Sequence, residues 1–145
     1  MALKLSMKAD ERIIAGGAVL RNATGKTVDL VVENEVPLLR EKDILSESKA
    51  DTPCKRVYFV IQLMYVDGQN LPKHQKIYWD LVRDIINAAP STTEMFKTIS
   101  EAIYHGKYYQ ALKETRKLMQ YEEKVMTHAI QAGRHSRDIP EKRSQ

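Results

Sequence analysis

The chain has 145 residues, room for one ordinary hydrophobic core or two small ones sharing an interface, but too few for an enzyme fold with a separate substrate domain. Apolar residues make up 43% and charged residues 29%, a globular balance that excludes disorder throughout, and a formal charge of +4 permits a polyanionic partner without demanding one. Charges are balanced almost one for one over residues 1–56 and again over 57–131, so any basic surface must arise by segregation in three dimensions. The single cysteine, Cys54, excludes an internal disulfide and lacks the second thiol of a zinc knuckle or redox pair; a small, partly buried side chain at a helix start is its expected role. The longest apolar stretch, 57–66, is broken by Gln62 and falls far short of the roughly 20 residues that cross a bilayer. No hydrophobic signal segment follows Met1, so a cytoplasmic protein without a membrane partner is expected.

In Leu3 to Met7, Leu3, Leu5 and Met7 alternate with Lys4 and Ser6, as in a half-buried strand. Ala9-Asp10-Glu11 reads as a turn, Arg12 to Ala15 as a second strand, and Ala18 to Asn22 as a third. Between the last two, Gly16-Gly17 permits the positive φ of a tight hairpin. Asn22 to Lys26 collects turn residues. Val28, Leu30 and Val32 then form one face of a fourth strand, and Val36 to Leu39 reads as a fifth at an edge, since Pro37 cannot donate to a ladder. Four or five such strands predict a small antiparallel sandwich or barrel over residues 1–50. So small a unit is marginal alone, so it is expected to dimerise or to lean on the rest of the chain.

Arg40 to Asp51, dense in charge, reads as a connector to a helical unit spanning 51–131. Thr52-Pro53 supplies an N-cap hydroxyl and a first-turn proline, Val57, Val60, Ile61 and Met64 the apolar stripe, and Asp67-Gly68 the end. A second helix is expected from about Pro72 to Ala88 with Ile77, Leu81, Val82 and Ile85 facing inward. A third begins at Ser91 or Thr92 and runs through Phe96, Ile99 and Ile103 to near Gly106. A fourth, about Lys107 to Gln131, repeats Tyr108, Leu112, Thr115, Met119 and Met126. Four amphipathic helices with short connections predict an up-and-down bundle, making the whole chain α+β. Residues 132–145 are polar and basic without periodicity, and a flexible tail is expected there.

No constellation of residues supports catalysis. Gly16-Gly17 lacks the spacing of a phosphate loop, and the four histidines are scattered, none four residues from another as a helical metal site requires. No metal, cofactor or enzymatic activity is expected. Lys4, Lys8, Arg12, Arg40 and Lys42 are candidate RNA-binding residues, since cations on an exposed strand face hold phosphates. Solvated surface charge is the ordinary explanation of the same residues. Tyr104, Tyr108 and Tyr109 are candidates for holding a partner protein, with helix packing as the plainer reading.

The segments MALKLSMKADERIIAGGAVLRN, LREKDIL and TPCKRVYFVIQLMYVD closely resemble the FlbT family of flagellum biosynthesis repressors of alphaproteobacteria, over nearly the whole chain apart from the tail. The resemblance implies a cytoplasmic regulator acting on the 5′ untranslated region of flagellin mRNA and influencing its translation and decay. Some family members look more like activators. The alternative it leaves is a protein that holds flagellin or another flagellar regulatory or assembly factor and affects the mRNA indirectly. Separately, LKLSMKADERIIAGG and PLLREKDIL resemble the carbon storage regulator (CsrA) family, strand-swapped β dimers that bind GGA-bearing RNA hairpins. That likeness implies a homodimer through the β module. It places Lys8 at one first-strand arginine and Arg40 at the later arginine, while Met7 stands where the other first-strand arginine would be.

Overall fold

A computed structural model describes the backbone of residues 2–136 and the side chains of residues 2–126. Five short strands come first: β1 (Leu3–Met7), β2 (Arg12–Ala15), β3 (Ala18–Arg21), β4 (Val28–Val32) and β5 (Leu38–Arg40). Four helices follow: α1 (Pro53–Val66), α2 (Leu71–Ala88), α3 (Thr93–Tyr104) and α4 (Tyr108–Ser136). The expected α+β arrangement is therefore present. The strands divide between two small antiparallel sheets, β1-β4 and β3-β2-β5, which share one buried cluster of Leu5, Met7 and Ile13, as in the small sandwich expected.

Local chemistry explains the strand boundaries. Gly16 and Gly17, at φ +58° and +89°, make the paired positive-φ turn that joins β2 to β3 with Ala15 opposite Ala18. Successive strands β3 and β4 are joined by a loop that Asn22 organises: its amide donates to the carbonyls of Met7 (3.1 Å), Lys8 (2.9 Å) and Lys26 (2.8 Å). That buried side chain ties the end of β1 to the β3–β4 loop, so the loop serves as a strap between the sheets and not as a hairpin turn.

The small cluster inside the β module consists of Leu5, Met7 and Ile13, with Val28, Leu30, Val32 and Leu38 packed around it. The main core is helical, and β2 and β5 contribute Ile14 and Leu39 to it. Leu3, expected on the inner face, is half exposed at the sheet end. α1 is the central helix, packing on α2 and α4, while α3 packs on α4. Its N-terminus is as expected: the Thr52 hydroxyl accepts from the Lys55 N–H and Pro53 occupies the first turn. On α2 the buried face is His74, Tyr78, Val82 and Ile85, displaced from the expected stripe, and Ile77 is exposed. α4 continues past Gln131 to Ser136, so the start of the expected tail is helical, and its remainder, residues 137–145, lies outside the described residues.

The connector from Arg40 is more structured than its composition suggests. It makes a short 3-10 turn at Glu41–Asp43 whose last residue is buried. Arg116 of α4 reaches it, donating to the Asp43 carboxylate and to the Lys42 carbonyl (3.2 Å), and the Tyr58 hydroxyl donates to the Asp43 carbonyl (2.6 Å). Gln62 of α1 then pairs both ways with the backbone of Leu45, each bond 2.9 Å.

Candidate nucleic-acid interface

Three segments meet at one end of the β module. At the end of β1 the chain turns through Lys8–Glu11, where the Lys8 N–H donates to the Glu11 carboxylate (2.8 Å) and the Glu11 N–H returns a bond to the Lys8 carbonyl (3.1 Å). Asp10 takes φ +63°, a conformation its short polar side chain tolerates better than most. Arg40, the last residue of β5, reaches across, donating to the Ser6 carbonyl and to the Glu11 carboxylate (3.1 Å). Glu41 accepts from the Arg12 N–H (2.7 Å), and the 3-10 turn then presents Lys42. The outcome is a groove of about 500 Å³ lined by Lys8, Asp10, Glu11, Arg40, Glu41 and Lys42, with Ala9 between them.

Of the five cations proposed from the sequence, this groove gathers Lys8, Arg40 and Lys42. Lys4 lies away from it, on the outer face of the β1-β4 sheet opposite Val31. Arg12 lies on the other face of β2 from Ile13, the residue that pairs with Arg40, and stands directly opposite Arg21 of β3. Two arginines in register repel. Arg21 relieves this by pairing with Asp10 (3.0 Å), whereas Arg12, like Lys4, Lys8 and Lys42, is in no ion pair among the described residues.

The groove is not a simple cationic trough, because three carboxylates share it with three cations. Glu11 bears most on its character. The Lys8 N–H, more than the Arg40 guanidinium, holds its carboxyl below the usual range, so at neutral pH it is an anion aimed at Arg40. These carboxylate partners are not visible in the distribution of cations along the sequence. The signal was available in the Lys8-x-x-Glu11 spacing of a turn and in Glu41 adjoining Arg40. Met7, in turn, is 2% exposed and belongs to the β-module cluster, so the departure from arginine there follows from burial.

The three tyrosines proposed for partner binding differ in exposure. Tyr104 ends α3 fully exposed, its ring edge-on to His105, and Tyr108 is half-buried against the helical core. Tyr109 is exposed with the Lys113 ammonium 5.9 Å from its ring centre. Cys54 is buried, and burial, reinforced by the Glu122 carboxylate, pushes its thiol up to about 12. A thiol so protonated is a poor nucleophile at neutral pH. No group of three or more metal-ligating side chains is present among the described residues, and no described helix is long and apolar enough to cross a membrane.

Comparison with known proteins gives a consistent result. Residues 3–126 match the family model described as flagellar protein FlbT. A relative from Bradyrhizobium diazoefficiens, named as a probable flagellum biosynthesis repressor protein FlbT 1, is 44% identical over 86% of this chain and 85% of its own length. One from Rhodopseudomonas palustris, also named as a probable flagellum biosynthesis repressor, is 37% identical over 88% of this chain and 99% of its own. The flagellum biosynthesis repressor of Caulobacter vibrioides is 32% identical over 88% of this chain and 92% of its own. No solved structure is significantly similar.

Proposed function

The chain belongs to the FlbT family of flagellar proteins, and on that premise we propose that it is a cytoplasmic, non-catalytic regulator of flagellum biogenesis that holds the 5′ untranslated region of flagellin mRNA and alters its translation and decay. The observation carrying this reading is the convergence of Lys8, Arg40 and Lys42 on one groove of the β module. Lys8 and Lys42, free of ion pairs among the described residues, are suited to phosphates, and Arg40, fixed by Glu11, shapes the groove more than it supplies free charge. Asp10 and Glu41 add acceptors that suit an exposed base edge such as the amino group of cytosine. A mixed groove of this kind binds generic polyanion weakly and rewards a loop that offers phosphates and base donors in the right places. Two copies joined through their β modules present the groove twice to one leader, which converts two modest sites into a useful one.

Electrophoretic mobility shifts with flagellin leader RNA test this. Lys8→Ala combined with Lys42→Ala is expected to weaken binding at least about tenfold while leaving the far-ultraviolet spectrum unchanged. Undiminished binding would reject the groove as the site. A second reading, in which the helical unit holds flagellin or another flagellar factor, is favoured by the exposure of Trp79 and Tyr104, 54% and 86%. Copurification of such a factor from wild-type cells, lost on Trp79→Ala plus Tyr104→Ala, together with no salt-sensitive affinity for leader RNA, selects that reading.

A further inference from the structure

Four strand edges are left open by the two small sheets, and three of them are protected. β5 follows Pro37, and the Tyr65 hydroxyl of α1 covers it, donating to the Leu38 carbonyl (3.3 Å) and accepting from its N–H (3.2 Å). β1 has its Ser6 carbonyl taken by Arg40 and its Met7 carbonyl by Asn22. β4 carries Asp29 and runs into Glu33 and Glu35, and charged side chains along a strand discourage pairing at its edge. β3 is the least guarded, with no proline, no cap on its backbone and a single charged residue, Arg21, at its very end. All four of its residues are exposed, Val19 at 65% and Leu20 at 47%, and its outer edge pairs with no strand of the described chain.

We infer that the outer edge of β3 pairs with β3 of a second copy, antiparallel and centred on Val19. A two-fold axis perpendicular to a sheet relates a strand to itself only about a residue, since facing side chains must lie on the same face. Centring on Val19 sets Val19 against the partner's Val19 and Ala18 against the partner's Leu20. Arg21 then faces the partner's Gly17, so no like charges meet. Two three-stranded sheets become one continuous six-stranded sheet, which suits a module whose own buried cluster is only Leu5, Met7 and Ile13. The inference names the interface of the dimer proposed above, and it rests on that reading only for the two grooves being presented together.

Sedimentation equilibrium and cysteine crosslinking of the full chain test it. Directly opposed residues have Cα atoms roughly 4.5 to 5.5 Å apart, within disulfide reach, so Val19→Cys should oxidise to a covalent dimer. Ala23→Cys, in the loop beyond β3, should gain no covalent link under the same oxidant. Native Cys54 is buried and stays out of the reaction. Wild-type protein should sediment at twice 16.7 kDa, and Val19→Asp at 16.7 kDa with an unchanged far-ultraviolet spectrum. A wild-type monomer at tens of micromolar overturns the inference, as does a dimer that the Val19→Cys thiol does not bridge and Val19→Asp does not dissociate. Because these readings contain no RNA, failure here is distinguishable from failure of RNA binding in the mobility shift.

Discussion

Glu11 accepts simultaneously from the Lys8 N–H and the Arg40 guanidinium, and its carboxyl is consequently held below its usual value of 4.5. The charged form thus contributes stability at and above pH 4.5, and that contribution is lost as the pH falls through the lowered folded-state value. Glu11→Gln should therefore show a smaller fall in urea midpoint between about pH 6 and about pH 3.5 than the wild type does. The same substitution removes an anion from the groove, and at neutral pH it should tighten leader RNA binding several-fold in a filter-binding titration. Asp43 is the converse case, a carboxylate that is 4% exposed and matters for structure. It anchors the turn bearing Lys42 to Arg116, whose side chain is 41% exposed and can be rehydrated when its partner is removed. Asp43→Ala should then cost about 2 kcal/mol, below the full penalty of orphaning a buried ion, and lower Tm by roughly 6 °C in a calorimetric scan.

At the N-terminus of α1 the Glu122 carboxylate, from α4, accepts from the Thr52 hydroxyl (2.6 Å) and the Cys54 N–H (3.2 Å). A carboxylate there meets both the unpaired amides and the positive end of the helix dipole. Glu122→Ala should cost about 1 to 2 kcal/mol, and Thr52→Ala about 1 kcal/mol. The double variant should lose less than the sum, because both act through one hydrogen-bonded cap, and denaturant curves of the four proteins measure the coupling. Thr52-Pro53 was legible from the sequence because capping chemistry is local. Gly16-Gly17 was equally so. The remote cap from Glu122 was not, because nothing local links residues so far apart in the chain. The inner face of α2 departs from its hydropathy pattern for a different reason: hydropathy ranks Ile77 above Tyr78 and His74. Tyr78 nevertheless buries its ring by bonding Ser100 (2.7 Å), and His74 by bonding Asp67 (3.1 Å). Likewise Gln62 looked like an interruption in an apolar run, yet it is buried because the Leu45 backbone satisfies its amide.

Across the whole molecule, charge balance is the property that most constrains the RNA reading. Near-neutral composition in both parts of the chain was visible from the sequence, and the groove repeats it in miniature with three cations against three carboxylates. What periodicity could not give was which cations converge, since Lys8 and Arg40 are brought together by the antiparallel pairing of β2 with β5 and by the Glu11 bridge. The consequence is quantitative. Of the groove cations, Lys8 and Lys42 are free of ion pairs among the described residues, while Arg40 is already neutralised by Glu11 and releases few counterions from RNA. Two phosphate contacts on a single strand give a slope of log K against log salt of about −1.4, and two grooves engaging one leader give about −2.8. Titrations across about 50 to 200 mM salt separate these values. The steeper slope in the wild type, falling to the shallower in Val19→Asp, is the outcome expected of a dimer that holds one RNA in both grooves, whereas a slope near zero in both would mean that RNA is not held by these lysines.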